Sequence, residues 1–532
     1  MHPDECHRLY AGNTPKVPPL RVQYSCLLYT SDSTHIDHTF QNLQNQFIHQ
    51  YASIFEDSLA PRSVVVIPSL TLDSQILSKI KGHFYYEERM LCMLMLLKMP
   101  ETRLTFVTSI PISSLIIDYY LHMLPGITAE HAKSRLTLLS CYDAGSVPLT
   151  EKVLRRPRLI DRIKKSIPNE DSGHLIFFNV TDAEKELAVK LNLPIYGCDP
   201  SLNYLGTKSG SRKLFKDCGV KTPEGYENLS SANDIIEGLY RLKIENPPLQ
   251  KAVIKMNDGF SGDGNAVFYF KDAPTDHNEL AIWMHQNIRN NTKIVAKKLT
   301  YEKFINTFEK MGGIVEEFIT GEKVTSPSVQ IRINPLGEIC IISTHDQLLG
   351  GESGQVYEGA TFPANEEYAG ELANISYTLA ANMRDKGVVG RFGIDYMSVK
   401  TEDGWKHYAI EINLRKGGTT HPFLMLQFLT NGMYYADKSA YLLNDGTKRY
   451  YFATDNLQKE KYKGLTPLDL IDIAMHHGLH YDHSNEEGVM FHLISALSQF
   501  GKIGLTSIGK TPERAMEFYR QVVAVLDKET TV

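Results

Sequence analysis

Two short runs flank a turn-forming cluster in this chain, and few stretches restrict its fold more tightly. Gly390-Arg391-Phe392-Gly393-Ile394-Asp395-Tyr396-Met397 and Tyr408-Ala409-Ile410-Glu411-Ile412-Asn413-Leu414-Arg415 read as strands, joined through Thr401-Glu402-Asp403-Gly404. Strand side chains alternate faces, so the parity of a position says where it points. Odd positions from Arg391 to Asp395 and from Glu411 to Arg415 are charged, polar or Gly; Phe392, Ile394, Ile410, Ile412 and Leu414 are apolar. The spacing predicts a hairpin with one core face and one face gathering two carboxylates, an amide and two guanidinium groups. Asp, Glu and an Asn carbonyl are hard oxygen ligands of the kind Mg²⁺ takes. Arg beside them can hold phosphate oxygens bidentately. The competing reading is a solvated sheet face of mixed charge.

At 532 residues the chain is long enough for three or four domains. A net charge of −6 gives no global basic excess, so a nucleic-acid partner is not expected. Seven cysteines stand singly at positions 6, 26, 92, 141, 198, 218 and 340, which argues against a disulfide framework or a cysteine-built zinc site. They point to a reducing compartment and a cytoplasmic protein. The opening residues do not read as a signal peptide. The most apolar run, Met90 to Leu97, is too short to span a membrane and is predicted to be a buried helix.

Residues 1–20 read as a polar, proline-containing tail. Strands are predicted at 63–67, 104–108, 136–139, 174–178 and 193–196, mostly separated by helices, which is the pattern of a parallel α/β sheet. No Gly-rich dinucleotide fingerprint follows the first of them. The most basic window, 151–167, carries Lys152, Arg155, Arg156, Arg158, Arg162, Lys164 and Lys165. Val153, Leu159, Ile160, Ile163 and Ile167 form an apolar stripe there, so a surface helix is favoured over a phosphate or RNA contact. Further on, the strand Ala252-Val253-Ile254-Lys255-Met256 feeds the glycine-rich stretch Asn257 to Asn265, an arrangement that can bring one ammonium and several backbone N–H groups onto a polyphosphate. Gly313 to Glu322 reads as a strand entering a loop. Pro327–Ile333 and Glu338–Gln347 read as a second hairpin leading to the loop Leu349–Gly354.

In this order the motifs resemble the ATP-grasp superfamily. More closely, the chain is similar to the group containing the peptide ligase of pheganomycin biosynthesis and the ATP-grasp region of IQ-motif-containing sperm proteins. The likeness runs from Tyr85-Tyr86-Glu87-Glu88-Arg89 through Tyr204–Arg212 and Glu411–Pro422 to the C-terminal segment. It implies an α/β architecture: an ATP-grasp fold preceded by a Rossmann-like pre-ATP-grasp domain and followed by a small C-terminal α+β cap. The implied boundaries are 21–205, 206–440 with a lid subdomain at about 250–315, and 441–532. The implied cofactors are ATP and Mg²⁺, with Asp395, Glu411 and Asn413 as metal ligands. Lys255 would contact nucleotide phosphates, and Arg212 takes the place of an upstream helix Lys. Gly259, Ser261, Gly262 and Gly264 fall on the lid, Glu316, Glu317, Phe318 and Ile319 on the adenine hinge, and Glu322 where a carboxylate binds ribose. Arg415 would face an acyl phosphate, and Arg391 and Arg332 would contact phosphate or carboxylate. His345, with Asp346 and His421, lies on stretches that could reach an acceptor amine, and His345 is the candidate base.

The activity implied is ligation of a small-molecule carboxylate to an amine or peptide, with a homodimer compatible and no membrane association. The rivals are a nucleotide-binding regulatory protein without turnover and an RNA-dependent peptide ligase. Gly504-Leu505-Thr506-Ser507-Ile508-Gly509-Lys510-Thr511 fits a P-loop letter for letter, but its middle reads as a strand and Thr511-Pro512 as a helix start.

Overall fold

The β-branched runs of the N-terminal third form a four-stranded parallel sheet. Its strands are β1 (Arg62–Ile67), β2 (Thr102–Thr108), β3 (Leu136–Ser140) and β4 (Gly173–Phe177), in the order β3-β2-β1-β4. Every residue of β1 and β4 is buried, as expected for strands with helices on both faces. Leu193–Tyr196 does not extend the sheet as a full strand. It makes a single parallel bridge, Leu175 to Ile195, because Pro194 lacks the N–H a longer ladder needs. The run from Met90 to Leu97 lies in the buried helix His83–Lys98. The basic window breaks at Pro157 into helices Leu149–Leu154 and Pro157–Lys165. Two of its basic residues are committed locally: Lys152 is buried, its Nζ donating to Ser109 Oγ (3.0 Å) and to the Asp143 carbonyl (2.7 Å), and Arg156 pairs with the Asp143 carboxylate at 2.9 Å. Arg155, Arg158, Arg162, Lys164 and Lys165 are exposed, as on a solvated helix face.

The computed structural model describes residues 31–55, 57, 59–72, 77–78, 80–259, 264–296, 299–350 and 356–530. The expected tail, 1–20, lies outside them. Two compact units result: one reaches Pro200 and includes Ile333–Cys340 and Gln427–Asn431; the other comprises Ser201–Arg332, Ile341–Leu426 and the chain from Gly432 onward. No helix among the described residues is long and apolar enough to cross a membrane.

The second unit holds two larger sheets. β5 (Gly225–Leu229), β6 (Lys251–Met256), β7 (Asn265–Tyr269), β8 (Thr292–Ile294) and β9 (Gly313–Glu317) form an antiparallel sheet in the order β5-β9-β6-β7-β8. Leu239, Leu280, Phe304 and Phe308 from flanking helices pack with its Ile254, Phe268 and Val315. The second sheet begins with β10 (Val324–Ile333), β11 (Ile339–Gly350), β12 (Val356–Phe362), β13 (Gly390–Thr401) and β14 (Gly404–Asn413). After a small ribbon, β15 (Met433–Tyr435) and β16 (Ala440–Leu442), the chain returns to it as β17 (Tyr450–Gln458), β18 (Gly488–His492) and β19 (Lys502–Gly509). The order is β14-β13-β10-β11-β12-β17-β19-β18, so the C-terminal α+β segment continues the sheet that carries the 390–415 hairpin. The literal P-loop is strand β19, followed by Thr511 capping Arg514 N and Pro512 opening the helix Pro512–Glu529.

Helix Lys208–Asp217 is started by Thr207, whose hydroxyl accepts from Gly210 N (3.0 Å). It lies against the edge strand β14, where Ile412 N donates to Ser211 Oγ at 3.0 Å. A Cβ on Gly210 would stand 1.9 Å from the Tyr204 carbonyl oxygen, so only glycine lets the helix start this close to the preceding turn. Deep in the sheet, His345 on β11 is fully buried, its Nε2 2.6 Å from Tyr451 Oη on β17 and its ring tilted against Phe362. Burial pushes its pKa down to about 3.

Gly210→Ala should cost about 1–3 kcal/mol in urea denaturation, the range for forcing atoms into a packed site; a loss below about 0.5 kcal/mol would show that the turn yields freely. The His345 prediction concerns pH. The unfolded chain takes up a proton near pH 6.5 that the folded chain refuses until about 3, so this stabilisation is complete above 6.5 and lost as pH falls. Between pH 7.5 and 5 the parent should lose more stability than His345→Gln, which does not titrate. Parallel curves for the two would sink the idea.

Candidate active site

The two carboxylates of the hairpin face each other across the ladder. Asp395 on β13 is directly opposite Glu411 on β14, and Gly393 is opposite Asn413. Asn413 Nδ2 donates to Asp395 Oδ2 (2.8 Å) and to Glu411 Oε1 (3.3 Å), and Gln347 Nε2 on β11 donates to Asp395 Oδ1 (2.8 Å). Next to this pair the register slips. It steps from Asp395–Glu411 to Tyr396–Ala409, which leaves Ile410 as the extra residue of a bulge. Phe392, Ile394 and Ile412 are buried as their parity predicts, but Ile410 is turned into the cavity instead of the core. Leu414, past the end of β14, is only half-buried.

Like charges directly opposite on a sheet repel, and this pair is held by cations. Lys208, in the first turn of its helix, makes an ion pair with Glu411 Oε2. Burial alone would raise the Glu411 pKa, but Lys208, Lys255 and Arg415 outweigh it and hold the carboxyl low. Asp395 goes the other way, raised by burial and by the charge on Glu411. A second network stands behind Lys255: its Nζ is 2.5 Å from Glu316 Oε1, and Arg212 Nη1 is 2.9 Å from Glu316 Oε2. Both oxygens of the buried Glu316 are thus neutralised, which a charge removed from water requires.

These groups open on one cavity of about 220 Å³. Lys208, Lys255, Gln347, Asp395, Glu411 and Arg415 line it together with Val253, Phe318, Ile319, Met397 and Ile410. Gly259, Gly264, Glu316 and Glu317 also reach it; Ser261 and Gly262 lie outside the described residues. Asn413 adjoins the cavity through its bonds to both carboxylates.

Besides Asn413, five expected residues are not among those lining it. Arg212 pairs through Nη1 with Glu316 and through Nε with Glu227 (3.4 Å), and its buried Nη2 has no hydrogen-bond partner. His345 is sealed in the sheet core against Tyr451, too deep and too weakly basic to take a proton from an amine. Glu322 is exposed on the loop after β9. Arg332 and Arg391 are half-buried on β10 and β13; parity puts Arg391 on the Asp395 face, about 13 Å along the strand. Asp346 and His421 are also committed elsewhere. Asp346 accepts from Asn365 N (2.9 Å) and Tyr368 Oη (2.6 Å), and His421 contacts Asp455 at 3.0 Å. Reading the sequence missed Lys208 and Gln347. For Lys208 the signal was present, a lysine one residue after the capping Thr207; Gln347 is identified only by strand pairing.

The donor set fits a divalent cation. Turning the Asn413 amide over replaces its NH₂ by a carbonyl oxygen, giving two carboxylates and an amide oxygen, the all-oxygen set Mg²⁺ uses. A cation there would relieve the repulsion that raises the Asp395 pKa.

A family model described as IQCH-like, ATP-grasp matches residues 201–298 and 275–436, and one described as the PGM1 C-terminal domain matches 469–522. An L-propargylglycine–L-glutamate ligase of Streptantibioticus cattleyicolor is 28% identical over 479 residues, covering 87% of this chain and 93% of that protein. The IQ motif-containing protein H of Danio rerio is 21% identical over 482 residues; the match takes in 80% of this chain but 45% of that protein, so the chain spans about half of its length. Among solved structures, the biotin carboxylase of Campylobacter jejuni, in a β,γ-ATP complex, superimposes with a TM-score of 0.51 at 12% identity, over 86% of this chain and 89% of that one. The biotin carboxylase domain of a Hydrogenobacter thermophilus 2-oxoglutarate carboxylase gives 0.50 at 14% identity, covering 87% and 89%. Residues 201–436 are thus similar to an IQCH-like ATP-grasp domain and 469–522 to a PGM1 C-terminal domain, on a fold shared with the biotin carboxylases.

Proposed function

We propose that this protein is an ATP-dependent ligase that joins the carboxylate of an amino acid or peptide to an amine through an acyl phosphate. The observation that carries the reading is the convergence of Lys208, Lys255 and Arg415 with Asp395 and Glu411 in the cavity that Phe318 and Ile319 also line. The named ligase relative, aligned over nearly its whole length, supports turnover over a regulatory site that only binds nucleotide.

In this reading the apolar residues receive the adenine of ATP, and Lys208 and Lys255 hold its phosphate oxygens. Asp395, Glu411 and Asn413 would hold Mg²⁺, which neutralises phosphate charge during transfer. A substrate carboxylate oxygen attacks the γ-phosphorus, the bond to the ADP oxygen breaks, and Arg415 stabilises the acyl phosphate. The amine then attacks the acyl carbon, phosphate leaves with the electron pair of the C–O bond, and the amine proton passes to phosphate or solvent. We assign Arg391 and Arg332, on neighbouring strands, to the carboxylate substrate. No histidine base is needed, since phosphate is a strong leaving group.

With ATP, Mg²⁺ and a pool of amino acids and dipeptides, ADP and phosphate release should require an acid and an amine together. The product mass should equal their sum less water. Glu411→Ala should lower turnover by about 100-fold or more, the scale for losing a built electrostatic group. Lys208→Ala should raise the KM for ATP about tenfold, as loss of one charged hydrogen bond does. ATP binding without turnover across the whole panel, or full activity in Glu411→Ala, would remove this assignment.

A further inference from the structure

Outside the cavity, a second set of potential ligands converges on one point. His421 opens the helix Thr420–Leu429, Asp455 lies in β17, and His492 ends β18; all three are buried. Their Nε2 and Oδ1 atoms form a small triangle: His421 Nε2 to Asp455 Oδ1 3.0 Å, His492 Nε2 to Asp455 Oδ1 2.6 Å, and Nε2 to Nε2 3.1 Å.

The backbone is built around this triangle. The β17–β19 register jumps from Thr454–Leu505 to Leu457–Ile503, so Asp455 and Asn456 form a bulge opposite Gly504. On the other side of β19, His492 is paired with the same Gly504. A Cβ there would stand 2.2 Å from His492 Nε2, so the glycine is what admits the imidazole. The first glycine of the misleading P-loop pattern thus has a steric reason of its own. Bulges commonly re-aim a side chain next to a site.

Hydrogen bonding within the set does not satisfy this geometry. Each imidazole Nε2 offers one in-plane direction, for a proton or for a lone pair, yet each has two polar neighbours within 3.1 Å. The three side lengths fix an angle of about 67° at Asp455 Oδ1, well below the spread of two separate carboxylate lone pairs. If both nitrogens carried protons, the protons would crowd each other. One cation at about 2.0–2.1 Å from every donor satisfies all three at once, standing about 1.2 Å out of their plane. That is a three-ligand cap with open coordination on its far side.

We propose that His421, Asp455 and His492 bind one divalent transition-metal ion of the Zn²⁺ class, tying the helix that follows Arg415 to strands β17 and β18. Two imidazoles and one carboxylate suit such an ion and not Mg²⁺, so this site is separate from the oxygen-only set at Asp395, Glu411 and Asn413.

The test uses the full chain. Elemental analysis of the purified protein should find about one Zn²⁺ per chain, or the chelator-stripped protein should take up one equivalent of Zn²⁺ or Co²⁺. With Co²⁺ it should show visible d–d absorption. Melting temperature should fall on stripping and return with Zn²⁺ but not with Mg²⁺. His421→Gln and Asp455→Asn, checked for folding by circular dichroism, should each weaken Zn²⁺ binding about 10- to 100-fold, whereas Glu411→Gln should not. Stripped parent protein that binds no Zn²⁺ and keeps its melting temperature would overturn the proposal. So would equal affinity in parent and His421→Gln, which would place the metal elsewhere.

Discussion

Two like charges set opposite each other, Asp395 and Glu411, are the constraint to which the second unit answers. Left alone they would push β13 and β14 apart. The chain counters them with Lys208 from a helix start and Lys255 from another sheet, and anchors Lys255 in turn through Glu316 and Arg212. The helix reaches Glu411 only because Gly210 lets it begin close to Tyr204 and because Ser211 docks on the edge strand. Sheet, helix and buried ion pairs therefore form one electrostatic assembly.

Much of this was legible from parity and motif order. The hairpin, its acidic pair and Lys255 before its glycine-rich loop follow from alternation and glycine placement, since a strand converts sequence parity directly into direction; the Phe318–Ile319 wall came only through the family resemblance. The P-loop lookalike was also legible as a strand and a capped helix, because Thr-Pro is a strong local start signal. What failed did so for identifiable reasons. Ile410 crossed faces at a bulge, a one-residue slip that no alternation rule contains. Arg212 and Lys208 sit on one helix start, and only packing decides which cation faces outward and which is buried against Glu316. His345 was read within a strand that leads to a loop, and which face of that strand it takes is decided by packing, which makes its ring core.

The histidine set shows a different limit. Cysteine spacing was the sequence handle for transition metals, and it is silent here. His421, Asp455 and His492 come from a helix and two strands up to 71 residues apart. Their meeting is created by a register jump and a glycine, features that belong to pairing and not to composition. Two ion-binding chemistries, one all-oxygen and one nitrogen-rich, thus share a single sheet in this reading.

That sheet runs unbroken from β14 to β18, with β12 handed directly to β17. Residues just over ninety positions apart in the chain are ladder neighbours there, Thr361 beside Phe452. A polypeptide cut short before Tyr450 would leave β12 with a raw row of unmatched amides and carbonyls. Such a rim invites another molecule to dock strand to strand, so truncation products of this protein carry a built-in route to aggregation.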